Sequence, residues 1–141
     1  MAPHDDASIA NTLTLARAVR VPEWITVEDG RERLTSACFL DGINFETSCF
    51  ILEEVGGIDG FRTLILPNLE QKLGAELRFA TIAVASVRST GLWIYRKPEE
   101  FDGNAAHVVV CASGDMSRPQ YKKRTRELAG LAVLHPMPSP S

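Results

Sequence analysis

A chain of 141 residues that is 45% hydrophobic, 23% charged and −3 in formal net charge has the make-up of one ordinary soluble globular domain. It is long enough to bury a core without disulfide or metal staples. Its longest apolar runs, such as Ile82 to Ala85 and Val108 to Ala112, fall far short of the roughly 20 residues that a membrane-spanning helix needs, which excludes a helical membrane protein. The opening Met1-Ala2-Pro3-His4-Asp5-Asp6 is acidic where a secretory leader is basic, so the expected location is the cytoplasm.

In chain order, residues 1–7 and the Pro/Ser-rich 136–141 read as tails around a single domain at 8–135. Ser8 is placed to cap a first helix carrying Ile9, Leu13, Ala16 and Arg20 and stopped by Pro22. Arg33 to Leu40 and Glu46 to Leu52 read as antiparallel strands joined at Asp41-Gly42, an Asp-Gly hairpin signal. Gly56-Gly57-Ile58-Asp59-Gly60 reads as a loop, and Phe61 to Leu73 as a helix interrupted at Pro67. Leu77 to Val84 predicts a strand, Ala85 to Thr90 a short helix closed by Gly91, and Leu92 to Tyr95 another strand. The near-continuous apolar run Ala106 to Ala112 has the pattern of a strand buried on both faces at the centre of the sheet. Ser117-Arg118-Pro119-Gln120 has the form of a capping box opening a helix with a Tyr121, Thr125, Leu128, Ala132 stripe, and Val133-Leu134 suits a short edge strand. The expected fold is α+β: a small mixed sheet of about five short strands, two to three helices, and a basic C-terminal helix packed on the sheet.

Charge is uneven along the chain. Residues 1–60 hold 4 Lys and Arg against 11 Asp and Glu, a balance of −7, whereas residues 61–141 hold 11 against 7, a balance of +4. The two halves are expected to face different partners or each other. Five of the nine residues from Arg118 to Arg126 are basic, and on a helix Lys122, Lys123 and Arg126 lie opposite the apolar stripe, where with Arg118 they suit an acidic protein or a phosphate backbone. The isoelectric point of about 5.6 favours the protein.

Cys38, Cys49 and Cys111 are odd in number, widely spaced and set in apolar stretches, which reads as buried reduced thiols. Cys111 with His107 four positions upstream would share one face of a strand as a nucleophile pair, a reading with no other support. His107 follows Asp102-Gly103-Asn104 and suits either a backbone-bonded strand cap or a general base oriented by Asp102. Trp24 with Arg31 and Arg33 suits an anion platform or a surface ion pair beside a packed indole. Glu53-Glu54 and Glu99-Glu100 read as solubilising charge, and no P-loop, dinucleotide, zinc or nucleophile-elbow motif is present, so neither cofactor nor metal is expected.

Trp24, then Gly30-Arg31 leading into Thr35-Ser36-Ala37-Cys38-Phe39, Ser48-Cys49-Phe50, Phe79 to Thr90 with Gly91-Leu92, Asn104-Ala105-Ala106-His107-Val108 and a closing basic helix together resemble a family of small uncharacterised bacterial proteins. That family carries Asn-Pro-Ala-His or Pro-Glu-His-Ala before its central strand, where this chain has Ala105 in place of the proline. The resemblance spans residues 20–132 and implies that Trp24, Arg31, Ser36 and His107 are positions to test. The expected function is a non-enzymatic accessory module binding a protein partner or a second copy through the basic helix, with Arg118, Lys122, Lys123 and Arg126, or through the acidic N-terminal half, with Trp24 and Arg31 as further binding positions. The alternative is a small hydrolase or nuclease-like enzyme using His107 with Asp102, and the third reading is weak nucleic-acid binding through helix 118–126.

Overall fold

The computed structural model describes residues 4–21, 23–40 and 46–136. Strands β1 (Thr14–Arg20), β4 (Glu46–Ile51), β5 (Leu77–Ala83), β6 (Trp93–Arg96), β7 (His107–Cys111) and β8 (Val133–His135) form one sheet in the order β6-β7-β4-β1-β5-β8. Every pairing in it is antiparallel. A separate hairpin joins β2 (Ile25–Glu28) to β3 (Arg31–Leu34). The helices are α1 (Ala37–Leu40), α2 (Gly57–Gly60), α3 (Leu66–Leu73), α4 (Val84–Ser89) and α5 (Arg118–Leu131). The class is α+β with α5 packed on the sheet, and the eight strands among the described residues exceed the five expected because Thr14–Arg20 and the hairpin arm Ile25–Glu28 are also extended and Val133–His135 adds the edge strand.

The first of these is the proposed N-terminal helix. Residues 14–20 are a strand, and Ser8 caps nothing; its amide and hydroxyl donate to the Asp6 carboxylate in a turn. Ala16, Arg17 and Ala18 favour helix in isolation, but the β1–β5 ladder of seven residue pairs overrides that preference. The second is the hairpin: the turn seen is Asp29-Gly30, between β2 and β3, and the run expected as the other arm, β4, pairs with β1 and β7. Asp29 and Gly30 both have positive φ, 52° and 74°, as a two-residue turn matched to strand twist requires. Ala37–Leu40 is accordingly helical where a strand was expected, and residues 41 and 42 lie outside the described residues.

The glycine-rich stretch expected as a loop contains α2. A Cβ on Gly60 would stand 1.9 Å from the Val55 carbonyl oxygen, so the close approach of the two backbones explains a glycine there. A π-helical turn, Phe61–Ile65, joins α2 to α3 immediately before Pro67, which is where the interruption was expected. Strand β5, helix α4 before Gly91, strand β6 and the Ser117/Gln120 capping box stand where the sequence puts them. Strand β7 is buried at all five positions yet lies second from the β6 edge; the centre of the sheet is β4 beside β1. Burial on both faces requires only neighbours on both sides and cover above and below.

One face of the sheet presents Leu15, Val19, Cys49, Ile51, Ile82, Ile94, Val108 and Val110 to Phe39 of α1, Val84 and Val87 of α4, and Tyr121 and Leu128 of α5. The other presents Ala16, Phe50, Leu77 and Phe79 to Phe61, Ile65 and Leu66 of the 57–73 helical segment and to Phe101. The outer edge of β6 is occupied by the N-terminal segment: the Asp6 amide donates to the Ile94 carbonyl (2.8 Å), and the Ile94 amide donates to Asp5 Oδ1 (3.1 Å). Arg88 of α4 fixes that segment through the Ile9 and Asp6 carbonyls, Asn11 Oδ1 and an ion pair with Asp5.

Candidate functional site

Strand β1 pairs with β5 over seven residues but with β4 over two, Leu15↔Ile51 and Ala16↔Phe50. Beyond Ala16 the two central strands part, and the side chain of Arg17 enters the opening. Its Nη1 donates to the Ser48 carbonyl of β4 (2.9 Å) and its Nε to the Cys38 carbonyl of α1 (3.0 Å). A guanidinium thus supplies donors where a β ladder would have supplied backbone amides.

A cavity of about 230 Å³ opens at this split, lined by Arg17, Ala18, Arg20, Trp24, Ser48, Phe50, Leu69, Leu73 and Leu77. Arg17 and Arg20 both lie over the Trp24 ring, their guanidinium carbons 5.0 and 5.7 Å from its centroid. The Trp24 indole is buried and its backbone is held by Arg20 and Thr35. Among the described residues, two cations and no carboxylate line the cavity, and Phe50, Leu69, Leu73 and Leu77 form its apolar wall.

Ser48 is exposed at the cavity, and its hydroxyl is hydrogen-bonded to Nε2 of His107. The register pairs Phe50 with His107 and Ser48 with Val109, which places Ser48 diagonally across from His107 on the same sheet face. His107 is only 2% exposed, and its Nδ1 lies 2.7 Å from the Lys97 carbonyl oxygen. A carbonyl can only accept, so Nδ1 carries the ring proton. Burial, the largest influence, pushes the imidazole below its ordinary pKa and keeps it neutral. Nε2 is therefore an acceptor, and the Ser48 hydroxyl donates to it. Phe50 and Phe101 flank the ring at centroid distances of 5.1 and 6.2 Å.

Asp102 is not the partner of His107. Its carboxylate bonds Lys72 Nζ at 3.1 Å, and both nitrogens of the imidazole are engaged elsewhere. Arg31 lies exposed on β3, Arg33 pairs with Glu28 at 3.7 Å, and the cations over Trp24 are Arg17 and Arg20 instead. Ser36 is half-buried just before α1, where its carbonyl accepts from the Phe39 amide. Arg118, Lys122, Lys123 and Arg126 are exposed on α5, opposite the buried Tyr121, Thr125 and Leu128.

The three cysteines are buried, and desolvation pushes their thiols up, Cys38 to about 11 and Cys49 and Cys111 to about 12, which disfavours the thiolate a nucleophile needs. The adjacent glutamates are more than surface charge: Glu54 makes a two-pronged pair with Arg96 at 2.7 and 2.8 Å, and Glu53 accepts the Thr14 amide. No helix among the described residues is long and apolar enough to cross a membrane, and no group of three metal-ligating side chains occurs among them.

Sequence reasoning reached Trp24 and His107 but not Ser48, Arg17 or Arg20. The available signal was Arg17 itself, a charge at the parity of Leu15 and Val19, which only a strand assignment makes visible. No family model, curated protein or solved structure matches the chain.

Proposed function

We propose that the cleft between β1 and β4 is the active site of a small serine hydrolase. The observation that carries this reading is the Ser48 hydroxyl, open to the cavity and donating to a neutral, buried imidazole whose other nitrogen is fixed by a backbone carbonyl. Such an arrangement holds a histidine in the tautomer and orientation a general base needs, the task a carboxylate performs in a triad.

The step follows from these atoms. Ser48 Oγ attacks an ester carbonyl carbon while its proton passes to His107 Nε2, and the carbonyl π pair moves to oxygen. The charge that develops there forms beside Arg17, whose position is set by the Ser48 and Cys38 carbonyls. Collapse expels the alcohol, which takes the proton from Nε2, and water repeats the sequence on the acyl-serine. The test is active-site labelling with a fluorophosphonate, read by intact mass and peptide mapping. One adduct on Ser48, absent in Ser48→Ala and strongly slowed in His107→Gln, is expected; labelling that persists in Ser48→Ala, or none in the wild type, overturns the proposal.

A second reading rests on α5. Lys122, Lys123 and Arg126 are exposed and make no ion pair with a described residue, whereas Arg124 is paired with Glu127. This face suits an acidic protein surface. Reversing all three to Glu is expected to leave the fold intact and abolish capture of that partner, with unchanged affinity counting against it.

A further inference from the structure

Taking the hydrolase reading as its basis, we infer that the substrate of the cleft is a short-chain ester bearing a carboxylate, held by Arg20 against Trp24. The charge balance comes first. The lining residues carry two guanidinium groups and no acid, and Arg20 makes no ion pair with a described residue. Arg17 is committed to the Ser48 and Cys38 carbonyls, which leaves Arg20 as the cation able to turn its donor edge to a ligand. The Arg20 guanidinium carbon lies 5.7 Å from the Trp24 ring centroid, a cation–π contact that favours this placement at the cleft. A planar donor fork placed there matches the two oxygens of a carboxylate.

Size and polarity narrow the class. A cavity of about 230 Å³ lies under the ~300–1,000 Å³ of pockets that take drug-sized ligands, so a long acyl chain or a nucleotide does not fit inside it. Phe50, Leu69, Leu73 and Leu77 cover only a few methylene groups between the anion and the ester carbon. The shared requirement is thus a compact molecule with an anionic end, a short apolar middle and an ester carbonyl delivered to Ser48.

Monomethyl succinate and its neutral counterpart dimethyl succinate separate the charge from the rest of the ligand. Calorimetric titration of Ser48→Ala, which cannot turn either over, reads binding alone; turnover of both esters by the wild type reads chemistry. The expected results are at least about tenfold tighter binding of the monoanion, the factor a charge-assisted two-pronged contact supplies. That preference should collapse towards unity in Arg20→Gln and recover in part in Arg20→Lys. Equal affinity for the two esters, an Arg20→Gln variant that keeps the preference, or no binding of either ester overturns the inference. Binding that discriminates by charge without any Ser48-dependent turnover overturns the hydrolase reading and leaves the carboxylate site standing, whereas turnover without charge preference does the reverse.

Discussion

The two faces of the six-stranded sheet are built from the same strands and treat polar groups differently. On the face covered by α1, α4 and α5, the buried Thr47 hydroxyl is answered inside the protein: it donates to the Phe39 carbonyl at 2.6 Å and lies 3.3 Å from Tyr121 Oη. On the opposite face the ladder opens after two residue pairs, and Ser48 and Arg20 are turned to a cavity instead. A sheet keeps its central strands together for burial and hydrogen bonding, so a split stabilised by an inserted guanidinium is an arrangement that packing alone does not call for. The closed face holds the fold, and the open one carries the cleft proposed as the site.

That division can be broken from either side. Leu128→Ala removes the fully buried α5 side chain of the closed face and is expected to cost about 2–5 kcal/mol in urea unfolding. If it also changed ester binding in the cleft, the two faces would not be separable. Arg17→Met leaves the Ser48 and Cys38 carbonyls without their donor and is expected to cost about 2 kcal/mol while also impairing the cleft, joining a stability loss to a functional one. A variant as stable as the wild type would show that the split does not depend on Arg17.

The pH dependence sharpens the comparison on the open side. Burial holds the folded His107 imidazole below its usual value of 6.5, and desolvation followed by the Arg62 charge does the same for His135. The unfolded chain therefore takes up protons first, so stability is complete above about pH 6.5 and falls as the pH drops below it. Urea titrations between pH 7.5 and 5 should show this slope, shallower in His107→Gln; an identical slope in that variant would assign the effect to other groups. The smallest effect concerns neither face. Gly30→Ala places a Cβ at φ 74° in the β2–β3 turn and is expected to cost about 1 kcal/mol, checked by thermal unfolding.

Much of the fold was legible where local signals and tertiary demand agree. The Ser117/Gln120 capping box, the run before Gly91 and the apolar β7 all read correctly, because each needs only its own sequence to declare itself. Thr14 to Arg20 did not, since its alternation of small and large residues also suits a helix and the deciding term is the distant β5. Asp-Gly pairs occur at 29–30, 41–42, 59–60 and 102–103, and choosing among them required knowing which flanking runs had a partner strand. The site suffered from the same error. With 14–20 taken as helix, Arg17 had no reason to point inward, and Ser48 and His107, 59 positions apart, meet only through the β4–β7 register.

The uneven charge of the two halves has an internal answer as well. Arg78–Glu32, Arg88–Asp5, Arg96–Glu54 and Lys97–Glu46 each tie a base from the later half to an acid from the first 60 residues, so much of the imbalance is neutralised by the chain folding on itself.

The N-terminal segment strapped to β6 by Arg88 bears on how the protein behaves in concentrated solution. Ile94 would otherwise offer a donor and an acceptor at the rim of the sheet, the template on which a strand from another molecule adds. Trimming the chain ahead of Ala7 removes Asp5 and Asp6, which do not line the cleft, and keeps the buried Ile9 in the core. What it removes is the guard on that rim, and the expected symptom is aggregation that grows with protein concentration in a molecule whose spectroscopic signature of folding is unchanged.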